Sequence, residues 1–151
     1  MNTERGYKMD GNTELLNYIY QNSEMGIAAI DQLNQSAKDD AFLKQLNTQR
    51  KEYTAINKQA REMLHERGHT EKDLSAMTQL ASHFVIGAKT LADSSTAHMA
   101  EMMMKGSTMG IIEAAKNLKK YDDADKPVLS LAEKLLRTEE SNVEHIKPFL
   151  S

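Results

Sequence analysis

Near the start of the chain the core-type side chains recur at steps of three and four: Leu16, Ile19, Ser23, Ile27, Ile30 and Leu33. That repeat draws one stripe along a helix of 3.6 residues per turn, whereas a strand would alternate its side chains every second residue. The pattern returns in Phe42, Leu46, Gln49, Tyr53, Ile56, Ala60 and Met63. It returns again in Met77, Leu80, Phe84, Ala88, Leu91, Ser95, His98 and Met102. A fourth stripe runs through Ile111, Ala115 and Leu118, and then through Val128, Leu131, Leu135, Thr138, Asn142, His145 and Phe149. A helix with one such stripe must bury it, and the simplest way is against its neighbours in a bundle.

Punctuation divides the stripes. Asp10-Gly11 closes a polar leader over residues 1–11, and Asn12 or Thr13 is placed to cap a first helix ending near Ser36. Lys38-Asp39-Asp40 opens the second helix with carboxylates at its positive end, and Arg67-Gly68-His69 stops it at a glycine. Thr70-Glu71-Lys72-Asp73 has the form of a capping box for the third, which the spacing closes at Gly106. Gly106-Ser107-Thr108-Met109-Gly110 then reads as a helix-to-helix turn, with Ser107 or Thr108 as the next cap. Connections of two to about six residues join antiparallel neighbours. The sequence thus predicts an all-α, antiparallel up-down-up-down four-helix bundle over residues 12–151, its fourth helix broken near Asp122–Pro127.

Composition narrows the function. Among 151 residues, 22 acidic and 19 basic side chains leave a formal charge of −3, which gives no field to attract nucleic acid. No cysteine occurs, which removes disulfides, thiolate nucleophiles and cysteine-held metals. The charged N-terminus has no apolar run behind it, and no window reaches a spanning length, so the expectation is a cytoplasmic protein free of the membrane. No nucleophile elbow or phosphate loop appears, and no catalytic residue is assigned. Gln49, Asn142 and His145 interrupt the apolar stripes and read as register-setting polar residues.

Two local features carry functional expectations. Folding the first hairpin about residue 38 sets Glu24 and Glu52 at the same height, a pair of carboxylates that can act as metal ligands. The Glu-x-x-His pairs of di-iron bundles are missing, and His98 with Glu101 has that separation in reversed order. The segment His98-Met99-Ala100-Glu101-Met102-Met103-Met104 is the most unusual stretch of composition. Adjacent methionines point around a whole helix, so Met99, Met102 and Met103 are expected to meet a second subunit.

With Gly26 in the first helix, Gln49-Arg50-Lys51-Glu52-Tyr53 in the second, Gly68 at the hairpin and Gly106-Ser107-Thr108-Met109-Gly110 further on, the chain resembles the ferritin-like group. More narrowly it is similar to uncharacterised bacterial ferritin-like families of unknown function. The resemblance covers about residues 12–150 in layout and implies a ferritin-like bundle in a bacterial cytoplasm, acting as a homodimer or partner-binding module. Its second implication is a carboxylate-bridged iron or manganese protein with a degenerate site, for which Glu24 and Glu52 would stand in for the ligands.

Overall fold

The computed structural model describes residues 10–69 and 95–151. These form four α-helices and a terminal 3-10 turn, with no strand among the described residues: α1 (Gly11–Asn34), α2 (Asp40–Glu66), α3 (Thr96–Lys120), α4 (Lys126–Ile146) and the turn Lys147–Phe149. α1 packs chiefly on α2 and α3 chiefly on α4, while α4 also touches α1 and α2.

The cap of α1 is Asp10, two or three residues earlier than the expected Asn12 or Thr13: its carboxylate accepts from the Thr13 backbone N–H at 2.8 Å. The same hydrogen bonds hold its pKa below the usual aspartate value. Asp39 caps α2 by accepting from the Phe42 N–H at 2.8 Å, and the chain leaves that helix through Gly68 at φ +77°, a left-handed conformation that favours glycine.

The expected helix end at Gly106 is not found. α3 runs from its Ser95 cap straight through the Gly-Ser-Thr-Met-Gly stretch to Lys120, so those residues belong to a helix interior and not to a turn. A mid-helix glycine is tolerated where a neighbour needs the space, and Gly110 is such a position. The expected break near Asp122–Pro127 is accordingly the junction of two separate helices, with residues 121–125 connecting α3 to α4 and Pro127 in the first turn of α4. The stripe Met77, Leu80, Phe84, Ala88 and Leu91, and most of the residue 1–11 leader, lie outside the described residues.

The core follows the expected stripes on α1, α2 and α4, but on α3 it is displaced: Met99, Met103, Ser107, Gly110 and Ala114 are buried, whereas His98, Met102, Ile111 and Leu118 are half-buried and Ala115 is exposed. Leu16, Ile19 and Ile30 of α1, Phe42, Leu46 and Ile56 of α2 and Leu135 of α4 are fully buried. Burying each such side chain contributes about 1.5–3 kcal/mol. Phe42 meets Phe149 edge to face, with ring centroids 5.3 Å apart, so the 3-10 turn closes one end of the core. His145 does not lie on the buried seam: it is exposed and bonded to Ser141, and Ile146 takes the core position instead. The seam of α4 steps through Leu135, Glu139, Asn142 and Ile146, alternating four and three residues.

Candidate functional site

One face of α4 carries a glutamate into the core. Glu139 is only 3% exposed. Its place on the seam between Leu135 and Asn142 turns it inward, and the other helices supply polar groups to meet it. From α2, the Tyr53 hydroxyl donates a short hydrogen bond to Glu139 Oε1. From α1, Asn22 Nδ2 donates to Oε2 at 3.2 Å. From α3, Ser107 hydrogen-bonds the same carboxyl group. Asn142, one turn on, donates to the Tyr53 oxygen at 3.2 Å. Glu139 therefore touches all three other helices through its one carboxyl group.

Two glycines make this approach possible. A Cβ on Gly110 would fall 2.1 Å from Glu139 Oε2, and a Cβ on Gly26 would fall 2.7 Å from the Tyr53 ring. No side chain larger than hydrogen fits at either place with its neighbour where it stands.

The electrostatics follow from burial. Removing Glu139 from water pushes its pKa up, and the hydrogen bonds from Tyr53, Asn22, Ser107 and Asn142 only partly oppose this. Burial, with the Glu139 charge next in size, raises the Tyr53 phenol well above the ordinary tyrosine value. Tyr18 is raised in the same way, by burial first and then by Glu139 and Glu113. No lysine, arginine or histidine of the described residues forms an ion pair with Glu139.

Beside the carboxyl lies a cavity of about 30 Å³, lined by Asn22, Ser107 and Glu139 together with Met25, Gly26, Ala29, Tyr53, Met103 and Gly106. Space of that size accommodates about one water-sized group.

The residues singled out from the sequence stand elsewhere. Glu24 is half-buried, Glu52 is exposed, and neither lines the cavity. A carboxylate-bridged metal centre needs several carboxylates and imidazoles converging. No group of three or more histidine, aspartate or glutamate side chains gathers in that way among the described residues, so their donor set does not fit such a centre. Met99 and Met103 are buried in the chain's own core, and Met102 is half-buried; the packing they were expected to offer a partner is largely used within the chain. On the outer face of the same helix, Met109 is 60% and Ile112 49% exposed.

Glu139 itself escaped the sequence reading because Thr138-Glu139-Glu140 has the look of a solvated face. Two signals were present. Glu139 stands four residues after Leu135 and three before Asn142, on the stripe, and three glycines interrupt strongly helical segments at Gly26, Gly106 and Gly110. A helix-interior glycine costs about 1 kcal/mol relative to alanine and so points to a close approach. No helix among the described residues is long and apolar enough to cross a membrane. No protein-family model, curated protein or solved structure matches this chain, and the functional reading rests on its own geometry.

Proposed function

We propose that this protein is a four-helix bundle of the ferritin-like kind, without catalysis of its own, that works in the cytoplasm as a homo-oligomeric module. Paired contacts support antiparallel packing of α1 with α2, through Asp31 with Arg50 and Ser23 with Asn57, and of α2 with α4, through Arg67 with Asp125 and Tyr53 with Asn142; Asn12 with Asp125 and Asn22 with Glu139 run α1 parallel to α4, against the up-down-up-down order expected from the sequence. A cytoplasmic setting suits a chain without cysteine.

The observation that carries the oligomer is the outer face of α3, where Met109 and Ile112 stand one turn apart and exposed. A second copy of the same chain is the occupant that the charges favour. Around Met109, Lys105 lies four residues before and Glu113 four residues after, while Glu101 lies eight before and Lys116 seven after. A two-fold axis through Met109 therefore sets Lys105 of one helix opposite Glu113 of the other, and Glu101 opposite Lys116, around a centre of Met109 and Ile112. Among the described residues these charges pair along their own helix, Lys105 with Glu101 at 3.2 Å and Lys116 with Glu113 at 3.5 Å, and a partner helix offers them an exchange.

Sedimentation equilibrium at micromolar concentration tests the reading. The wild type is expected to be dimeric and M109E monomeric. K105E should weaken the dimer and K105E/E113K should restore it, because the double swap inverts both sides of the axis together. A strictly monomeric wild type, or a dimer untouched by M109E, overturns it.

A further inference from the structure

We infer that the cavity beside Glu139 is a binding site for a small ammonium cation, the charged head of a short primary amine. The head group matches the space: a cavity of about 30 Å³ takes one water-sized group, and a protonated amine nitrogen is of that size.

Its hydrogen-bonding demand also matches. A primary ammonium has three N–H donors and no acceptor. The polar lining is rich in acceptors. Asn22 spends its amide nitrogen on Glu139 Oε2, which leaves its carbonyl oxygen as an acceptor. Ser107 keeps lone pairs while its hydroxyl donates, and the Glu139 carboxylate, which accepts from Tyr53, Asn22, Ser107 and Asn142, supplies the negative charge beside them.

Charge supplies the selectivity. An ionised carboxylate buried without a cation is costly, and among the described residues none provides one. A bound ammonium would complete that pair, whereas an anion would meet a carboxylate and be repelled. The remaining lining, Met25, Ala29 and Met103, is apolar and adaptable, and suits a short alkyl tail. Gly106 leaves one wall without a side chain where the tail would pass. A quaternary ammonium has no N–H to give and is too large for the space, so it separates specific binding from a general response to cations.

Calorimetric titration of the full chain with methylammonium chloride, in buffer alkaline enough to ionise the raised Glu139 carboxyl, provides the test, with tetramethylammonium chloride at equal ionic strength as control. The expected result is saturable binding of methylammonium that is at least about tenfold stronger than any response to tetramethylammonium, an energy difference of about 1.4 kcal/mol. Glu139→Gln should abolish it, and Ser107→Ala, which leaves the carboxylate in place, should weaken it by about threefold to tenfold, as loss of one hydrogen bond does. Equal responses to the two cations, no saturable binding, or a Glu139→Gln protein that binds like wild type overturns the assignment. Should Glu139→Gln lose its helical circular dichroism, Ser107→Ala decides: an affinity unchanged from wild type counts against the site, and the expected weakening supports it.

Discussion

Gln49 and Tyr53 lie one turn apart on the same face of α2, and both are buried, yet their polar atoms fare differently. The Tyr53 hydroxyl sits between Glu139 and Asn142 with a hydrogen bond on each side. Gln49 is 0% exposed, and neither its amide oxygen nor its nitrogen finds a partner among the described residues. Equal burial thus has opposite consequences. A satisfied buried polar group helps to fix which helices pack together, while an unsatisfied one costs about 1–3 kcal/mol and specifies nothing. The contrast teaches that the polar interruptions of an apolar stripe differ in kind, and that partners on neighbouring helices decide which kind each one is.

Glu139→Ala attacks the satisfied side of the contrast most directly. It strands the Tyr53 hydroxyl and the Asn22 amide and opens a cavity, so the expected loss is about 3 kcal/mol in a urea unfolding titration. A loss below about 1 kcal/mol would break the comparison, since the network would then contribute no more than an exposed pair. Glu139→Gln sharpens it through pH. The folded pKa of Glu139 is raised above its ordinary value of 4.5, so the folded protein holds this proton more tightly than the unfolded chain. Its contribution is fully present below 4.5 and is lost as pH climbs from there through the raised folded value. In Glu139→Gln that part of the fall with rising pH should vanish. An identical stability profile in the two proteins would mean that Glu139 does not titrate as a buried group.

The two glycines that seat the network come next. Gly26→Ala would drive its Cβ to 2.7 Å from a rigid tyrosine ring, and Gly110→Ala would drive its own to 2.1 Å from a carboxylate held by three helices. Alanine gains about 1 kcal/mol in helix propensity, but displacing a packed neighbour costs about 1–3 kcal/mol. A net loss of up to about 2 kcal/mol is expected at each position, read from the urea midpoint. A gain in stability at both would show that the glycines are ordinary helix residues and that the close approach can relax.

How much of this was legible in the sequence differs by element. The stripe of α2 named Phe42, Leu46, Gln49, Tyr53, Ile56, Ala60 and Met63; the first six are buried, while Met63 is half-buried and Leu64 takes the core position beside it. The spacing recovers them because a helix face repeats regularly whatever it packs against. The polar network was not recovered: its members lie on four separate helices, 117 positions apart in the case of Asn22 and Glu139, and only tertiary packing brings them together. The Gly106 error has the same origin. Locally a glycine ends a helix, and only the neighbours across the bundle reveal that a missing side chain there leaves room beside Ser107 and Glu139.

On the unsatisfied side, Gln49→Met is expected to move stability the other way. Methionine has a similar length and shape and no amide to desolvate, so replacing Gln49 removes two orphaned polar atoms without emptying the space. The expected gain is about 1 kcal/mol, seen as a higher urea midpoint with an unchanged slope. A loss of stability would assign Gln49 a partner and move it to the same side of the comparison as Tyr53.

The smallest effect belongs at the surface, where partners matter least. Arg50 and Asp31 join α2 to α1 through a two-pronged pair, Nε to Oδ1 at 2.7 Å and a second nitrogen to Oδ2 at 3.2 Å. The geometry is as good as that of the buried network, but the side chains are 41% and 50% exposed, and water competes for both charges. A double-mutant cycle of Asp31→Asn and Arg50→Gln should therefore yield a coupling of about 0.5 kcal/mol, shrinking as salt is added because exposed charges are screened. A coupling as large as the loss in Glu139→Ala, or one insensitive to salt, would mean that hydrogen-bond geometry rather than burial sets the strength of these contacts, and the distinction between Tyr53 and Gln49 would need another cause.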